Sequence, residues 1–297
     1  MVLQAVASGL VLGLVYAGIG AGFSLIMATG AERTEAHMRH YVRLLFGLIA
    51  IALALPGGAE DGNVGVVLLH GKKGIVPGPV GSLAQKLKGA GYLVATPEMP
   101  WSRNRIYGAS YEDAMLEIDR AVEGLKKKSA QRIVVGGHSL GGNAAVGYAA
   151  RRSDLAGIVV LAPGQNPELP RWRERFASSV AHAKEMVAAG HEDSIESFAD
   201  FNMGETFYSQ ASAKNYLSYF DPDGPAVMPT NAAGIPSPIP ILWVVGSKDS
   251  ATRPSGYAFD KAPSHPKSMY LSVDAGHLEV PAVAADQVST WLRSLDQ

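Results

Sequence analysis

Arg132-Ile133-Val134-Val135-Gly136-Gly137-His138-Ser139-Leu140-Gly141-Gly142-Asn143-Ala144-Ala145-Val146-Gly147-Tyr148-Ala149-Ala150 is the stretch from which the rest of this chain can be read. Its opening residues are apolar and β-branched, as in a strand buried on both faces. Its second half is built of small residues and reads as a helix. Between them Gly137, Ser139 and Gly141 form a G-x-S-x-G turn. A tight strand-to-helix turn strains the serine backbone and lifts its hydroxyl above the end of the sheet. A glycine two positions to either side admits neighbouring chain where a Cβ would clash. The helix that follows directs free N–H groups to the same place, where negative charge on a substrate oxygen would be stabilised. Ser139 is therefore the candidate nucleophile, with Gly137 and Gly141 as the residues that permit its turn.

Outward from this turn, strand and helix patterns alternate. Apolar, β-prone runs at 64–70, 92–96, 157–161, 239–245 and 268–273 read as strands. Segments 79–90, 111–128 and 282–295 read as helices; in the second, Ala114, Met115, Ile118, Ala121, Val122 and Leu125 recur at helical spacing. Such alternation predicts an α/β domain over 60–297, with a mostly parallel sheet covered on both faces. The alternation breaks over 164–238. There, helical pieces at 171–189, 194–201 and 209–219 precede a Pro/Gly-rich return at 221–225. An insertion at that point predicts a helical cap above the sheet edge that carries Ser139. Trp172, Phe198, Phe201, Phe207, Tyr208, Tyr216, Tyr219 and Phe220 are expected to form mainly its core.

A serine hydroxyl needs a base within reach, and the base needs an acid to fix its tautomer. His277 follows the strand at 268–273 in Asp274-Ala275-Gly276-His277 and is the leading base. Asp249 follows the strand at 239–245 in Gly246-Ser247-Lys248-Asp249 and is the leading acid, with Asp274 as its competitor. All three candidates sit at strand C-terminal ends, where open α/β sheets bind ligands. The order Ser139, Asp249, His277 is the one expected of a nucleophile-elbow fold. Two donors must meet the oxyanion. The first is the backbone N–H of Leu140, and the second is the N–H of Lys72, or of its neighbours Gly71 or Lys73. Lys72 and Lys73 also bring positive charge that would favour an acidic substrate. His70 reads as a brace for that loop, and His138 as packing or a pocket wall.

On these motifs, residues 64–297 resemble an α/β-hydrolase, with the His70-Gly71 loop, the Gly137-His138-Ser139-Leu140-Gly141 elbow, the Gly246-Ser247-Lys248-Asp249 turn and the Gly276-His277 loop. The elbow is similar to those of esterases, lipases and thioesterases. The resemblance implies cleavage of an ester or acyl bond through an acyl-enzyme on Ser139, and no cofactor. A serine at this position argues against the haloalkane dehalogenase and epoxide hydrolase branches, which use an aspartate there. Acyltransferase, lipase and peptidase chemistry use the same three residues, and a non-catalytic binding protein is the reading of another class.

Composition narrows the partners. The 297 residues carry a net charge of -1 and no basic block, which gives no ground for nucleic acid and leaves a small-molecule ester or acyl substrate. Cysteine is absent, which excludes disulfides and thiolate chemistry. The first 59 residues read separately. Residues 1–31 hold no charge, and 2–27 exceed the ~20 apolar residues that cross a bilayer. Parts of 3–25 resemble the start of a branched-chain amino-acid ABC transporter permease. Arg39 and Arg43 then precede the apolar run 44–55 and the small residues 56–59, the pattern of a signal peptide that begins at Met38. Segment 1–37 is then a misassigned or fused leader; the alternative is a two-helix membrane anchor. Either way the chain after Ala59 is expected outside the cytoplasm, because the basic side stays within. N-terminal sequencing of the protein recovered from cells is expected to begin near Glu60; recovery of Met1 would overturn the signal peptide.

Overall fold

The computed structural model describes residues 64–295, so the leader at 1–37 and the signal-like segment at 38–59 lie outside the described residues. The chain forms a six-stranded sheet and a separate two-stranded hairpin. The sheet strands are β1 (Val64–Leu69), β2 (Leu93–Ala95), β3 (Arg132–His138), β4 (Gly157–Leu161), β7 (Ile241–Gly246) and β8 (Met269–Val273). Their order is β2-β1-β3-β4-β7-β8, and every pairing is parallel. The chain runs outward from β1 to β2, then returns to β3 and builds the other half. The order therefore reverses between β1 and β3, the kind of switch point at which open parallel sheets bind ligands.

Burial on both faces follows from the strand period of two. Val64, Val66 and Leu68 of β1 join one apolar cluster, while Val67 and Leu69 join the other. The same division separates Val134 from Ile133 and Val135 in β3, and Leu242 and Val244 from Ile241, Trp243 and Val245 in β7. On the first face lie helices α1 (Gly81–Gly89) and α7 (Ala285–Ser294), which contribute Leu83, Leu87, Val288 and Trp291. On the other lie α2 (Tyr111–Lys126) and α3 (Leu140–Ala149). The periodic residues read from the sequence, Ala114, Met115, Ile118, Val122 and Leu125, are the buried face of α2. Every residue of α3 is buried. Gly147 leaves the space that the Tyr111 ring occupies, and Tyr111 Oη in turn donates to Asn143 Oδ1 at 2.7 Å.

Between β4 and β7 the insertion holds α4 (Pro170–Ala188), β5 (Ile195–Asn202), β6 (Glu205–Ser212), α5 (Ala213–Phe220) and α6 (Met228–Ala233). The cap is thus not purely helical. Segment 194–201, expected as helix, is a strand, and 209–212 completes its antiparallel partner. Local chemistry explains the correction. Met203 and Gly204 both have positive φ, 49° and 90°, as a two-residue hairpin turn requires. Thr206-Phe207-Tyr208 is a β-prone run, and Phe207, Ser209 and Ala211 turn inward on alternate positions. The aromatics form the expected core in part. Phe198 stacks on Tyr216 at 4.5 Å, Tyr216 on Phe220 at 4.3 Å, and Phe176 meets Phe220 edge-on. Tyr208 instead stands 70% exposed.

No atom lies within 4 Å of a Cβ placed on Gly204, so a side chain there meets only backbone strain. Gly204→Val is expected to cost about 1–2 kcal/mol, read as a lower urea midpoint at unchanged slope.

Candidate active site

The β3–α3 turn takes the form that its sequence predicts. Ser139 has φ 57° and ψ -121°, a conformation that costs a non-glycine residue roughly 1–3 kcal/mol. Three features keep it there. Ser139 N–H donates to Leu161 O at 3.0 Å. A Cβ at Gly137 would strike the Gly141 carbonyl, and one at Gly141 would strike the backbone of Leu69 and His70. The two glycines therefore let the first turn of α3 lie against the end of β1.

The structure brings Ser139, His277 and Asp249 together. Ser139 Oγ lies 3.0 Å from His277 Nε2, and His277 Nδ1 lies 2.7 Å from Asp249 Oδ2. Asp249 is also a turn residue: its Oδ1 accepts the Ala251 N–H at 2.8 Å, which leaves Oδ2 for the histidine. Burial, the largest influence, pushes the Asp249 carboxyl up, but the bonds from His277 and Ala251 outweigh it and hold the group below its ordinary value. Asp274, the competitor, is at the surface. Its carboxylate accepts from Lys248 Nζ at 3.0 Å and from Ser247 Oγ at 3.3 Å.

His138 does more than pack. Its Nε2 lies 2.8 Å from His277 O, so the neutral ring carries its proton on Nε2 and donates it, fixing the backbone of His277. Among the described residues its Nδ1 is buried without a partner. A second proton would place an unpaired N–H⁺ in the interior. Burial first, and the neighbouring His277 second, lower the His138 pKa to about 4.

The loop after β1 borders the serine from the other side. A Cβ on Gly71 would lie 3.1 Å from Ser139 Cβ. His70 braces the loop as expected: Nδ1–H donates to Gly71 O at 2.8 Å, and Nε2 accepts the Met99 N–H at 3.0 Å. Among the described residues the N–H groups of Leu140 and Lys72 have no hydrogen-bond partner, whereas Lys73 N–H donates to Trp101 O at 2.8 Å. Of the alternatives, Lys73 is thereby occupied. Nor do the two lysines offer their charge in the way the sequence suggested. Lys72 Nζ is buried against Asp200, and Lys73 Nζ lies 3.2 Å from the centre of the Phe207 ring.

Sequence reading missed Gly164. A Cβ there would lie 2.9 Å from Ser139 Oγ, so the bare glycine keeps the space beside the hydroxyl open. Its loop is held by Asn166 Nδ2, which donates to Tyr257 Oη at 2.6 Å, in the segment that follows Asp249. Pro163-Gly164 after a strand was the available signal.

The arrangement can pass a proton from a hydroxyl to an imidazole whose conjugate acid a carboxylate stabilises. Comparison with known proteins agrees with the fold. Residues 66–290 match the alpha/beta hydrolase family, and the chain belongs to it. Among solved structures it resembles the monoacylglycerol lipase of Paleococcus ferrophilus, with 25% identity, a TM-score of 0.58 and coverage of 78% of this chain and 94% of that one. The monoglyceride lipase of Saccharomyces cerevisiae shares 15% identity and a TM-score of 0.57 over 81% and 89%. Est1E of Butyrivibrio proteoclasticus, solved with ferulic acid, shares 14% and 0.54 over 81% and 92%. No curated protein sequence matches the chain.

Because the folded state lowers the His138 pKa from 6.5 to about 4, the unfolded chain binds more protons between those values. The stability that the neutral ring contributes is complete above pH 6.5 and is lost as pH falls toward 4, by about 3 kcal/mol. His138→Gln keeps a donor to His277 O and cannot titrate. Urea midpoints measured across that range are expected to vary less with pH in the variant than in the parent.

Proposed function

We propose that this chain is a serine hydrolase of ester bonds. The observation that carries the reading is the continuous series Ser139 Oγ, His277 and Asp249, with contacts of 3.0 and 2.7 Å. Ser139 Oγ attacks the ester carbonyl carbon while its proton moves to His277 Nε2. Asp249 holds the ring so that Nε2 faces the serine and stabilises the imidazolium that forms. The carbonyl oxygen takes up negative charge opposite the N–H groups of Leu140 and Lys72. The imidazolium then protonates the departing alcohol, which leaves an acyl group on Ser139. Water, activated by the same histidine, releases the acid. Membership of the alpha/beta hydrolase family supports this chemistry, as do the two lipases of monoacylglycerol type among the similar structures. The family model alone does not define a substrate, since the fold hosts many activities. An exported location rests on the apolar run at 44–55 behind Arg39 and Arg43.

The test is covalent labelling of the full chain with a fluorophosphonate, followed by hydrolysis of p-nitrophenyl esters of increasing acyl length. The parent is expected to label once per chain and to turn over at least one ester. Ser139→Ala should not label, and both Ser139→Ala and His277→Ala should lose roughly 10³-fold or more in kcat. A folded parent that neither labels nor hydrolyses any ester would overturn the reading.

A further inference from the structure

Lys72 stands at the junction of two parts of the molecule. Its backbone belongs to the loop after β1, beside Ser139. Its side chain runs to the hairpin of the cap, 128 residues away in sequence, where Nζ donates to Asp200 Oδ1 at 2.7 Å and to Phe201 O at 3.1 Å. The pair is closed from solvent, with side-chain exposures of 5% and 0%. The ammonium also lies 4.9 Å from the centre of the Phe220 ring and 5.4 Å from that of Trp172. Asp200 is anchored in its turn. It accepts from Tyr107 Oη at 2.9 Å, from Ser209 Oγ at 3.1 Å and from the Phe201 N–H at 2.7 Å.

Such a pair is a poor source of stability. Two well-packed apolar residues would avoid the desolvation of both charges, so what a buried pair contributes is position. The loop shows where position is needed. His70 is fixed by its bonds to Gly71 and Met99, and Lys73 is fixed by its N–H bond to Trp101 O. Between these two points, the peptide N–H of Lys72 has no partner of its own among the described residues. Gly71 O, in the same planar peptide, accepts from His70 Nδ1 at 2.8 Å and from the Gly74 N–H at 3.0 Å, and the Lys72 side chain, whose far end the cap holds, anchors that peptide from its other side.

We propose that the Lys72–Asp200 ion pair is a tether by which the cap hairpin aims the Lys72 N–H at the oxyanion, which makes Lys72 and Asp200 positioning residues for the hydrolysis. The inference rests on the serine hydrolase reading above. It extends that reading by assigning the hairpin a part in the reaction: displacement of the hairpin would turn the N–H away and slow the chemical step without emptying the binding site.

The experiment compares the full-length parent with Asp200→Asn, Lys72→Met and the double variant. Lys72→Met alone strands a buried carboxylate and invites misfolding. The double variant removes both charges and keeps an amide near Tyr107, Ser209 and the Phe201 N–H. Folding is checked by circular dichroism and by the number of sites that a fluorophosphonate labels. Kinetics are then measured per labelled site, with a substrate from the ester series. A trifluoromethyl ketone of matching acyl part serves as the second probe. Ser139 Oγ adds to its carbonyl carbon, the serine proton passes to His277, and the former carbonyl oxygen becomes the oxyanion. With the tether gone, kcat per site is expected to fall about 10- to 100-fold, less than or similar to the loss of a whole oxyanion donor. KM should stay within about threefold, and the ketone Ki should rise by the same factor as kcat/KM falls. The double variant should be about as slow as the slower single, not as slow as the product of the two, because both act through one contact. A folded, labelled double variant with parental kcat and ketone Ki would overturn the tether and leave the hydrolase reading intact. A folded parent that neither labels nor hydrolyses would overturn the hydrolase reading, and the tether with it.

Discussion

Everything at the candidate site depends on the register of one parallel sheet. Leu69 pairs with Gly137, His138 with Leu161, Leu161 with Val244, and Gly246 with Val273. Four neighbouring pairings therefore terminate within two residues of one another, and the loops that leave β1, β3, β4, β7 and β8 start along a single edge. Lys72, Ser139, Gly164, Asp249 and His277 each belong to one of those loops. A slip of one residue in any strand would turn its side chains to the other face and carry its loop out of reach. Val66, Leu68, Val134, Val159 and Val244 guard against such a slip, because each is wholly buried on its own side of the sheet.

On that frame, three of the buried titratable groups are each satisfied differently. Asp249 divides its two oxygens between a turn amide and His277. Asp200 receives a cation, two hydroxyls and an amide. His138 stays neutral, and its one proton bonds to a backbone carbonyl. All three solutions bear on the positions of His277 or Lys72.

What could be read from the sequence was whatever is written locally. The elbow carries its own signature in the strand before Ser139, the glycines around it and the small-residue helix after it. Asp249 and His277 were legible because each closely follows an apolar β-prone run, and strand ends of a parallel sheet share an edge. Asp274 was the lesser competitor by sequence, and the direction of its side chain, toward Lys248 and solvent, sets it apart from Asp249. The cap hairpin was misread because aromatic residues at mixed spacing fit either period, and the Met203-Gly204 turn was passed over. Other contacts between distant segments left no trace. Nothing around Lys72 announces Asp200, and nothing around His138 announces the carbonyl of His277.

The helix α3 that begins beside Ser139 is buried along its whole length, wedged among the sheet, Tyr111 and the segment that contributes Ala226 O to Asn143. It has no solvent-facing side on which to fray. The strained serine backbone therefore has no local route to relaxation: the turn can release only when the sheet and helices around it come apart. The orientation of the hydroxyl is a property of the whole cooperative unit, so gradual softening of the periphery should leave it intact until the unit melts as one.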